Sequence, residues 1–331
     1  MAGTIILTGA NGSVAIHAVR YLLRGAPDST LVLTVRDTSD SDSNTKRLRV
    51  VLNEFPDASV SIRKLDLASF KAVNEFADGI VTEVAQKTLP PLVAVICNAF
   101  HWNMVADPEL TEDGLEKTMQ VNHVSHSALV LRLLGSFGPQ GGRLVLFTSD
   151  CHSPGRNGLE KYPPGLPDDL DELAKAGPET DKPGRGFQKY ANSKLAILMW
   201  TYALNRYLEK DKSLARISAV VIEPGSIADS RALRTNTPAM LSYIQMFILQ
   251  PLRPVLRLVI PDVRKSADAG VDVADIALGK KHAGERGYLR LVAPGPSSTE
   301  SLDEAKQEKL WTKTLEWAKL PREKTALENG L

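Results

Sequence analysis

Runs that are apolar throughout alternate along the chain with longer segments in which apolar residues recur every three or four positions. The continuous runs, such as TIILT at 4–8 and LVAVIC at 92–97, are typical of parallel strands buried on both faces. Alternation of such strands with helices predicts an α/β fold: a doubly wound parallel sheet of about seven strands flanked by helices. The predicted strands lie near 4–8, 30–35, 59–65, 92–97, 143–148, 216–222 and 287–292, and the predicted helices near 14–25, 44–54, 69–87, 111–135 and 187–210.

Two stretches exceed what a minimal sheet of this kind needs. Residues 152–186 are rich in Pro, Gly and Asp, and loops of that length are usually functional or disordered. We expect this insertion to cover part of the opening through which a substrate would reach the binding cleft. Residues 231–286 predict a mostly helical excursion on the same side. Neither stretch has the core of a separate domain, so we expect residues 1–331 to form one domain that ends in a helix and tail at 303–331.

Composition and charge exclude several classes of function. The 331 residues are 43% hydrophobic and 24% charged, which is typical of a soluble globular protein. Lys plus Arg number 40 and Asp plus Glu 39, so the net charge of +1 gives no general attraction to nucleic acid. Two cysteines predict no disulfide framework, and we expect a cytoplasmic location.

Neither a signal peptide nor a transmembrane segment is expected from the apolar pattern. The N-terminus reads as a strand that begins almost at once. The most apolar stretch, 240–260, is interrupted by Pro251, Arg253, Pro254 and Arg257, so it is too broken to span a bilayer. Such a segment suits a helix that covers a binding cleft, and contact with a membrane surface stays open.

The first strand runs into a glycine-containing turn, 8-TGANGSVA-15, and then into a helix. A strand, a turn and a helix N-terminus present backbone N–H groups and a positive dipole end, which together favour a pyrophosphate. The position of the turn after the first strand of an alternating pattern strengthens this prediction. The alternative is a tight strand-to-helix turn without a ligand.

The end of the second strand carries Arg36 in the sequence LTVRD. Enzymes that use NAD usually place an acidic side chain there to bind the ribose 2′-hydroxyl. A guanidinium instead suits a 2′-phosphate, so NADPH is favoured over NADH as the cofactor. Asp37 follows directly, and the alternative is that both residues are solvated surface charges.

A tyrosine and a lysine stand four residues apart in 190-YANSK-194, just before an apolar run. On a helix this spacing places Tyr190 and Lys194 on one face. A phenol normally ionises near pH 10, and a neighbouring ammonium should lower that pKa toward neutrality. Taken alone, however, such a pair is more often an amphipathic surface pair than a catalytic one.

Three further stretches settle the interpretation of that pair. They are 97-CNA-99 after the fourth strand, 121-VNHVSH-126 on the fourth long helix and 148-TSDCH-152 after the fifth strand. Together with TGANGSVA and YANSK, they make the chain resemble the short-chain dehydrogenase/reductase family, with its Rossmann-type fold, from Thr4 to about Gly295. The later part, including 223-EPGSIADSRAL-233, resembles the subgroup with retinol dehydrogenases, protochlorophyllide reductases and many fungal reductases.

The resemblance implies a role for each of four residues. Tyr190 would give a proton to the substrate oxygen as hydride arrives from the nicotinamide, and Ser149 would hydrogen-bond that oxygen. Lys194 would hold the nicotinamide ribose, and Asn122 would support a water relay to Lys194. The cofactor-binding residues that the resemblance implies are Thr8, Gly9, Asn11, Gly12, Ser13, Val14, Arg36, Asp66, Leu67, Asn98, Ala99, Tyr190, Lys194, Pro224, Gly225 and Ile227.

The chain departs from the family pattern at several positions. Ser13 and Ala15 replace glycines of the turn, and Ser13 could itself bond a phosphate. Phe100 replaces a glycine, so its ring either narrows the cleft or stacks on substrate, or it packs under 101-HWN-103. Asp229 stands where a threonine often bonds the cofactor amide, and a shift of one residue would let Ser230 serve instead.

We expect no metal, because His123 and His126 lack a third ligand. The residues and the resemblance together predict an NADPH-dependent oxidoreductase acting on a ketone or alcohol of an apolar small molecule. The helical excursion, with Met240, Leu241, Tyr243, Ile244, Met246 and Phe247, would supply an apolar wall. The alternatives are non-redox catalysis, such as cyclisation or elimination, and a nucleotide-binding scaffold. A homodimer stays open.

Overall fold

The structure, a computed structural model, describes residues 2–253 and 262–328. The predictions made for Pro254 and Arg257, and for the end of the tail at 329–331, therefore lie outside the described residues. The described residues form a sheet of eight strands in the order β10-β9-β6-β5-β4-β1-β2-β3. Its strands are β1 Thr4–Leu7, β2 Thr30–Val35, β3 Val60–Lys64, β4 Leu92–Cys97, β5 Gly142–Phe147, β6 Ile217–Glu223, β9 Gly287–Arg290 and β10 Ala293–Pro294.

All neighbouring strands of this sheet are parallel except β9 and β10, which are antiparallel. The chain runs outward from β1 to β3, crosses back to β4 and then runs outward again to β9. The order of the sheet therefore reverses between β1 and β4, where crevices for ligands form in open α/β sheets. The predicted Rossmann-type doubly wound sheet is confirmed, with β10 as an addition to the seven predicted strands.

Helices cover both faces of the sheet. Ile5 and Leu7 of β1 pack with α1, α2 and α8 on one face, whereas Ile6 packs with α3, α5, α6 and α9 on the other. All three side chains are fully buried, as continuous apolar runs predict for parallel strands. The helices are α1 Ser13–Gly25, α2 Ser43–Leu52, α3 Phe70–Ala85, α4 Lys117–Met119, α5 Ser125–Leu133, α6 Lys182–Lys210, α7 Ala239–Ile244, α8 Ser266–Ala277 and α9 Glu304–Ala318.

Helix α6 begins at Lys182, five residues before the position that the apolar pattern predicted. The Asp181 side chain accepts a hydrogen bond from the Gly184 N–H at 3.2 Å and thereby caps the helix. Pro183 stands in the first turn, where its missing N–H costs nothing. Gly186 lies against the loop after β4, since a Cβ there would come within 2.0 Å of the Asn103 carbonyl oxygen.

The excursion after β6 is less regular than predicted. A small parallel pair, β7 Ser226–Ile227 and β8 Val263–Arg264, joins its two ends, and no pattern in the sequence predicts so short a pair. Between them lie a 3₁₀ turn at Ala232–Arg234, the short helix α7 and a π turn at Gln245–Leu249.

The C-terminal helix α9 docks on α6 through stacked aromatic rings. The Trp311 and Trp200 rings stack at 5.4 Å with an interplanar angle of 14°, and the Tyr207 ring lies 4.6 Å from Trp311. Trp311 is only 1% exposed. The amphipathic tail helix predicted from the sequence therefore completes the core on the face of the sheet that carries α6.

Replacing Trp311 by Ala should lower the free energy of unfolding by about 3–5 kcal/mol, because it removes a buried ring and leaves a cavity beside Trp200. Urea denaturation followed by circular dichroism would measure the change. Leu302→Ala is the matched control, since Leu302 is 56% exposed and its loss should change stability by less than about 0.5 kcal/mol. Equal denaturation midpoints for the two variants would contradict the docking role of α9.

Candidate active site

A cleft of about 400 Å³ opens at the carboxyl ends of β1, β2, β3 and β4, where the order of the sheet reverses. The glycine turn forms one wall, and the segments after β2, β3 and β4 form the others. Val121 and His101 also line it. Ten of the residues predicted to contact a cofactor line this cleft: Gly9, Asn11, Gly12, Ser13, Val14, Arg36, Asp66, Leu67, Asn98 and Ala99.

The glycine turn is held against β4 by hydrogen bonds. The Asn98 amide donates to the carbonyl oxygens of Thr8 and Gly9 at 3.0 and 3.1 Å. Gly9 has φ +62°, and a Cβ there would lie 3.0 Å from Ala99, so only glycine fits both the conformation and the space. Thr8 is buried behind the turn, where its hydroxyl accepts from the Ala99 N–H and meets His126 Nε2 at 3.0 Å.

The far end of the cleft carries a free cation. Arg36 is exposed, lines the cleft and has no ion-pair partner among residues 2–253 and 262–328. The Asp37 carboxylate accepts a hydrogen bond from the Ser39 N–H at 2.8 Å, and that bond is the main reason why the pKa of Asp37 is lowered. The Asp37 carboxylate is therefore hydrogen-bonded within its own loop, and the Arg36 guanidinium can bind an anion in the cleft.

A reciprocal pair of hydrogen bonds fixes α6 to the end of β5. Lys194 Nζ donates to the Phe147 carbonyl oxygen at 3.1 Å, and the Thr148 hydroxyl donates to the Lys194 carbonyl oxygen at 2.9 Å. Both bonds are buried. They set the rotation of α6 so that Tyr190, one turn earlier, faces Ser149, whose hydroxyl acts on the Tyr190 pKa as a hydrogen-bond partner. The structure therefore brings Ser149, Tyr190 and Lys194 together.

The pKa values of this group differ from the expectation. Burial raises the pKa of Tyr190 well above its usual value, and the Cys151 and Asp150 side chains raise it further, whereas the bond with Ser149 lowers it. Burial lowers the pKa of Lys194 to about 8. Lys194 Nζ lies 5.5 Å from the Tyr190 ring centroid. The raised pKa of Tyr190 is therefore opposite to the prediction that Lys194 makes the phenol acidic, because burial disfavours the charged phenolate.

Ser149 has an acidic partner, Asp150, that was not predicted from the sequence. The Ser149 hydroxyl donates to Asp150 Oδ1 at 2.8 Å. Asn157, within the long insertion, donates to both oxygens of the same carboxylate at 2.9 and 3.0 Å. Asp150 thus links the insertion to Ser149. The available sequence signal was the acidic residue that directly follows the serine in TSDCH.

Asn122 lies in a π turn at Gln120–Val124 between α4 and α5, and such turns often occur at functional sites. Its side chain accepts from the His101 N–H at 2.7 Å and donates to the His101 carbonyl oxygen and the Ser193 hydroxyl, both at 2.9 Å. The structure records no direct bond between Asn122 and Lys194 in the described ranges. Asn122 instead joins the loop after β4 to α6, one residue before Lys194.

Aromatic rings surround Tyr190. The ring centroids of Trp102, Phe100 and Phe187 lie 5.2, 6.2 and 6.3 Å from that of Tyr190. Phe100 is 45% exposed and lines the cleft, so its ring narrows the cleft beside Tyr190 rather than packing beneath the 101–103 segment. Trp102 was not predicted to belong to the site, because most of the residues that it contacts there are distant from it in the chain.

Trp102 belongs to a bridge between the loops that follow β4 and β6. Its indole N–H donates to the Thr235 carbonyl oxygen at 3.1 Å, and the Asn236 amide donates to the Trp102 carbonyl oxygen at 3.2 Å. The Met104 N–H donates to the Asn236 carbonyl oxygen at 2.8 Å. Because β5 lies between β4 and β6, this bridge passes over the end of the strand that leads to Ser149.

The motif after β6 is placed at the edge of the site. Asp229 does not face the cleft: its carboxylate accepts from the Ser266 N–H and hydroxyl at 2.7 and 3.0 Å and holds the start of α8. Ser230 lines the cleft; that it bonds the cofactor amide stays a prediction. Pro224 and Gly225 lie in the turn between β6 and β7, and Ile227 lies in β7 itself; none of the three lines the 400 Å³ cleft.

The predicted apolar wall is only partly present. Leu241 packs with Ala232, Leu233 and Tyr190 in a cluster around Trp102 and Phe187. The buried side chain of Gln245 fastens the next turn by donating to the Ala228 carbonyl oxygen at 3.1 Å. The other side chains point outward: exposed are Met240, Tyr243, Met246 and Phe247, and Ile244 is half-buried.

The two histidines on this side of the site are hydrogen-bonded to threonines, and the two cysteines are buried. His123 Nε2 bonds the Thr314 hydroxyl at 2.8 Å, and His126 bonds Thr8. Burial raises the pKa of both Cys97 and Cys151 to about 12, so neither is a thiolate at neutral pH. Within residues 2–253 and 262–328, no cluster of three or more such side chains could hold a metal, and no helix could cross a membrane.

Comparison with known proteins agrees with this architecture. A family model described as the AcuH dehydrogenase domain matches residues 231–327. The dehydrogenase acuH of Aspergillus aculeatus is 48% identical over 28% of this chain and 94% of its own length. The short-chain dehydrogenase iccH of Talaromyces variabilis is 28% identical over 98% of both chains. The crystal structure of a blue fluorescent protein from a metagenomic library, in complex with NADPH, superposes with a TM-score of 0.56 at 22% identity, over 88% of this chain and 98% of that one.

The fold and these relatives define an oxidoreductase built on a Rossmann-type sheet. The chain belongs to the short-chain dehydrogenase/reductase family. The resemblance inferred from its motifs, including that to the fungal members, is confirmed.

The buried ammonium of Lys194 should leave a signature in the pH dependence of stability. Its pKa of about 8 in the folded chain lies below the ordinary value of 10.5, so between these values the unfolded chain binds more protons than the folded one. Stability should therefore rise with pH across this window, by about 3 kcal/mol from this group, and Lys194→Met should remove that rise. Urea denaturation at several pH values would measure both slopes. Lys210→Met, at the exposed end of α6, should keep the slope of the unmodified protein, and an unchanged slope in Lys194→Met would contradict the assignment.

Proposed function

We propose that this protein is an NADPH-dependent oxidoreductase that transfers a hydride between the nicotinamide ring and a ketone or alcohol on an apolar small molecule. The observation that carries the proposal is the pairing of the Tyr190 phenol with the Ser149 hydroxyl, at the end of β5 and beside the cleft of the glycine turn. Two adjacent hydroxyl groups can hold one carbonyl oxygen, and the phenol can supply its proton.

The cleft suits a dinucleotide. Its glycine turn precedes α1, so backbone N–H groups and the positive end of a helix dipole face the space where phosphates would lie. Asp66 and Leu67 after β3 would flank the adenine, and Asn98 and Ala99 would line the middle of the nucleotide. The further contacts proposed are Thr8, Gly9, Asn11, Gly12, Ser13 and Val14 around the phosphates, Arg36 at the 2′-phosphate, and Tyr190, Lys194, Pro224, Gly225 and Ile227 near the nicotinamide.

NADPH, when bound, would supply the hydride, and the residues of this chain would manage the proton and the position of the substrate. The raised pKa of Tyr190 keeps the phenol protonated at neutral pH, as donation to a developing alkoxide requires. Lys194, with a pKa of about 8, still carries its charge there and would favour the phenolate that donation leaves behind. Ser149 would turn its proton from Asp150 to the substrate oxygen.

The surroundings of Tyr190 support an apolar substrate. Phe100 presents a half-exposed ring beside the phenol, the Trp102 ring contacts the Tyr190 ring, and Leu241 packs on the same apolar cluster. A carbonyl compound placed against these side chains would remove apolar surface from water, which stabilises binding by about 25 cal/mol per Å² buried. These side chains favour a ring system or an aliphatic chain next to the reacting carbonyl.

Tyr190→Phe should lower kcat by about 10²–10⁴-fold while leaving the fold and NADPH binding in place, because it removes only the phenolic proton donor. NADPH oxidation with a panel of aromatic and aliphatic ketones would measure the rate. Tyr202→Phe is the matched control: its phenol lies on the same helix but bonds Ser297, at 2.9 Å. A Tyr190→Phe enzyme with the kcat of the unmodified protein would sink the assigned role.

Arg36→Met should weaken NADPH binding by about 10–100-fold and leave NADH binding unchanged, since only NADPH carries a phosphate for the guanidinium to bond. Titration calorimetry with both nucleotides would measure the two affinities. Arg20→Met, which removes a guanidinium bonded to Glu54 on the outer face of α1, should change neither.

The unmodified protein gives the decisive comparison in that experiment. Tighter binding of NADH than of NADPH would contradict the assignment of Arg36. Binding of neither nucleotide would favour non-redox catalysis or a scaffold and would overturn the proposed function.

A further inference from the structure

Arg231 reaches back across the cleft to the glycine turn. Its backbone N–H and its Nε both donate to the Ser13 hydroxyl oxygen, at 3.1 and 3.3 Å, and its Nη2 donates to the Asn11 carbonyl oxygen. These bonds join residues that are 218 and 220 positions apart in the chain. They fasten the segment after β6 to the turn that was predicted to hold phosphates.

The hydrogen-bonding capacity of Ser13 shows what this contact does. A serine hydroxyl accepts two hydrogen bonds and donates one. The two N–H groups of Arg231 fill both acceptor positions, so the proton of Ser13 is left to donate. No residue within the described ranges accepts it, and Ser13 lines the cleft. Arg231 therefore orients Ser13 as a donor toward an acceptor in the cleft.

The charge of Arg231 points to an anion as that acceptor. Residues 8–15 contain no cationic side chain, and the Arg231 guanidinium brings a positive charge to the turn. Burial lowers the pKa of Arg231, nearby Arg47 lowers it further, and Asp42 opposes the shift. Nη1 is buried and has no partner in the part of the chain that the structure describes. A negative group in the cleft would compensate this partly desolvated charge.

We propose that Arg231 orients the Ser13 hydroxyl of the diphosphate site inferred above, so that this hydroxyl donates to a phosphate oxygen of the dinucleotide. The proposal depends on the dinucleotide binding inferred above. It gives the serine that replaces a glycine of the family turn a function of its own. Arg231 acts through Ser13 and is a positioning residue.

The site also connects cofactor binding to the substrate side. Ala232 and Leu233 directly follow Arg231 and pack in the cluster with Tyr190 and Leu241. A diphosphate that strengthens the contact between Ser13 and Arg231 would therefore stabilise the segment 231–249 beside Tyr190. ADP alone should produce this effect, because it carries the diphosphate without the nicotinamide.

Calorimetric titration with NADP⁺, ADP and adenosine 2′-monophosphate would test the site. Ser13→Ala and Arg231→Met should each weaken binding of NADP⁺ and ADP by about tenfold, and the double variant should bind no more weakly than Arg231→Met, because both changes remove one donor. Binding of adenosine 2′-monophosphate, which has no diphosphate, should stay unchanged. Arg234→Met, which removes a neighbouring guanidinium bonded to Gln245 at 3.4 Å, should leave ADP affinity as it is.

Hydrogen exchange of the segment 231–249 gives a readout that does not depend on activity. ADP should slow exchange there in the unmodified protein and in Arg234→Met, but not in Arg231→Met or Ser13→Ala. Equal loss of affinity for all three nucleotides would show a merely structural role and overturn the proposal. Unchanged ADP affinity in Ser13→Ala, or no ADP binding by a protein that binds NADP⁺, would overturn it while leaving the proposed function intact. Failure to bind any dinucleotide would overturn both.

Discussion

The two buried hydrogen bonds between Lys194 and the end of β5 hold the site together. The side chain of the lysine bonds the carbonyl oxygen of Phe147, and its own carbonyl oxygen accepts the proton of Thr148. A helix that packs on a sheet through apolar side chains alone can slide or rotate at small cost, whereas this pair fixes both its rotation and its translation. The position of Tyr190 against Ser149 follows, because Tyr190 lies one helical turn before Lys194 and Ser149 directly follows Thr148.

The same burial that fixes this geometry sets the electrostatics. A dry pocket disfavours every charge, so the phenol holds its proton more tightly and the ammonium more loosely than in water. Asp150 adds a negative charge beside the phenol and strengthens the first effect. The phenol of Tyr190 is therefore protonated at neutral pH.

Local patterns in the sequence predicted the sheet, the glycine turn and the group around Tyr190, because each depends on residues that are close in the chain or on a motif of fixed order. Contacts between distant segments could not be predicted in the same way. Trp102 meets Thr235, and Arg231 meets Ser13, through loops whose paths no periodicity describes. The excursion shows the same limit: its apolar residues were assigned to an inner wall, but only the fold determines that Leu241 packs on the cluster of Trp102 and Phe187 and that Phe247 is exposed.

The bridge between the loops after β4 and β6 affects which molecules can reach the site. Three hydrogen bonds join the two loops above the end of β5, and we call this connection the arch. Trp102 bonds Thr235 and Asn236, and Met104 bonds Asn236. Neither loop can move away from the other without breaking these hydrogen bonds, so the two loops must move as one body or stay still. The insertion is attached to Asp150 through Asn157 and to the loop after β4 through Glu179 and Lys182, which both bond the Asp107 carboxylate at 3.0 Å. We expect the arch to set a fixed limit on the width of a molecule that reaches the end of β5.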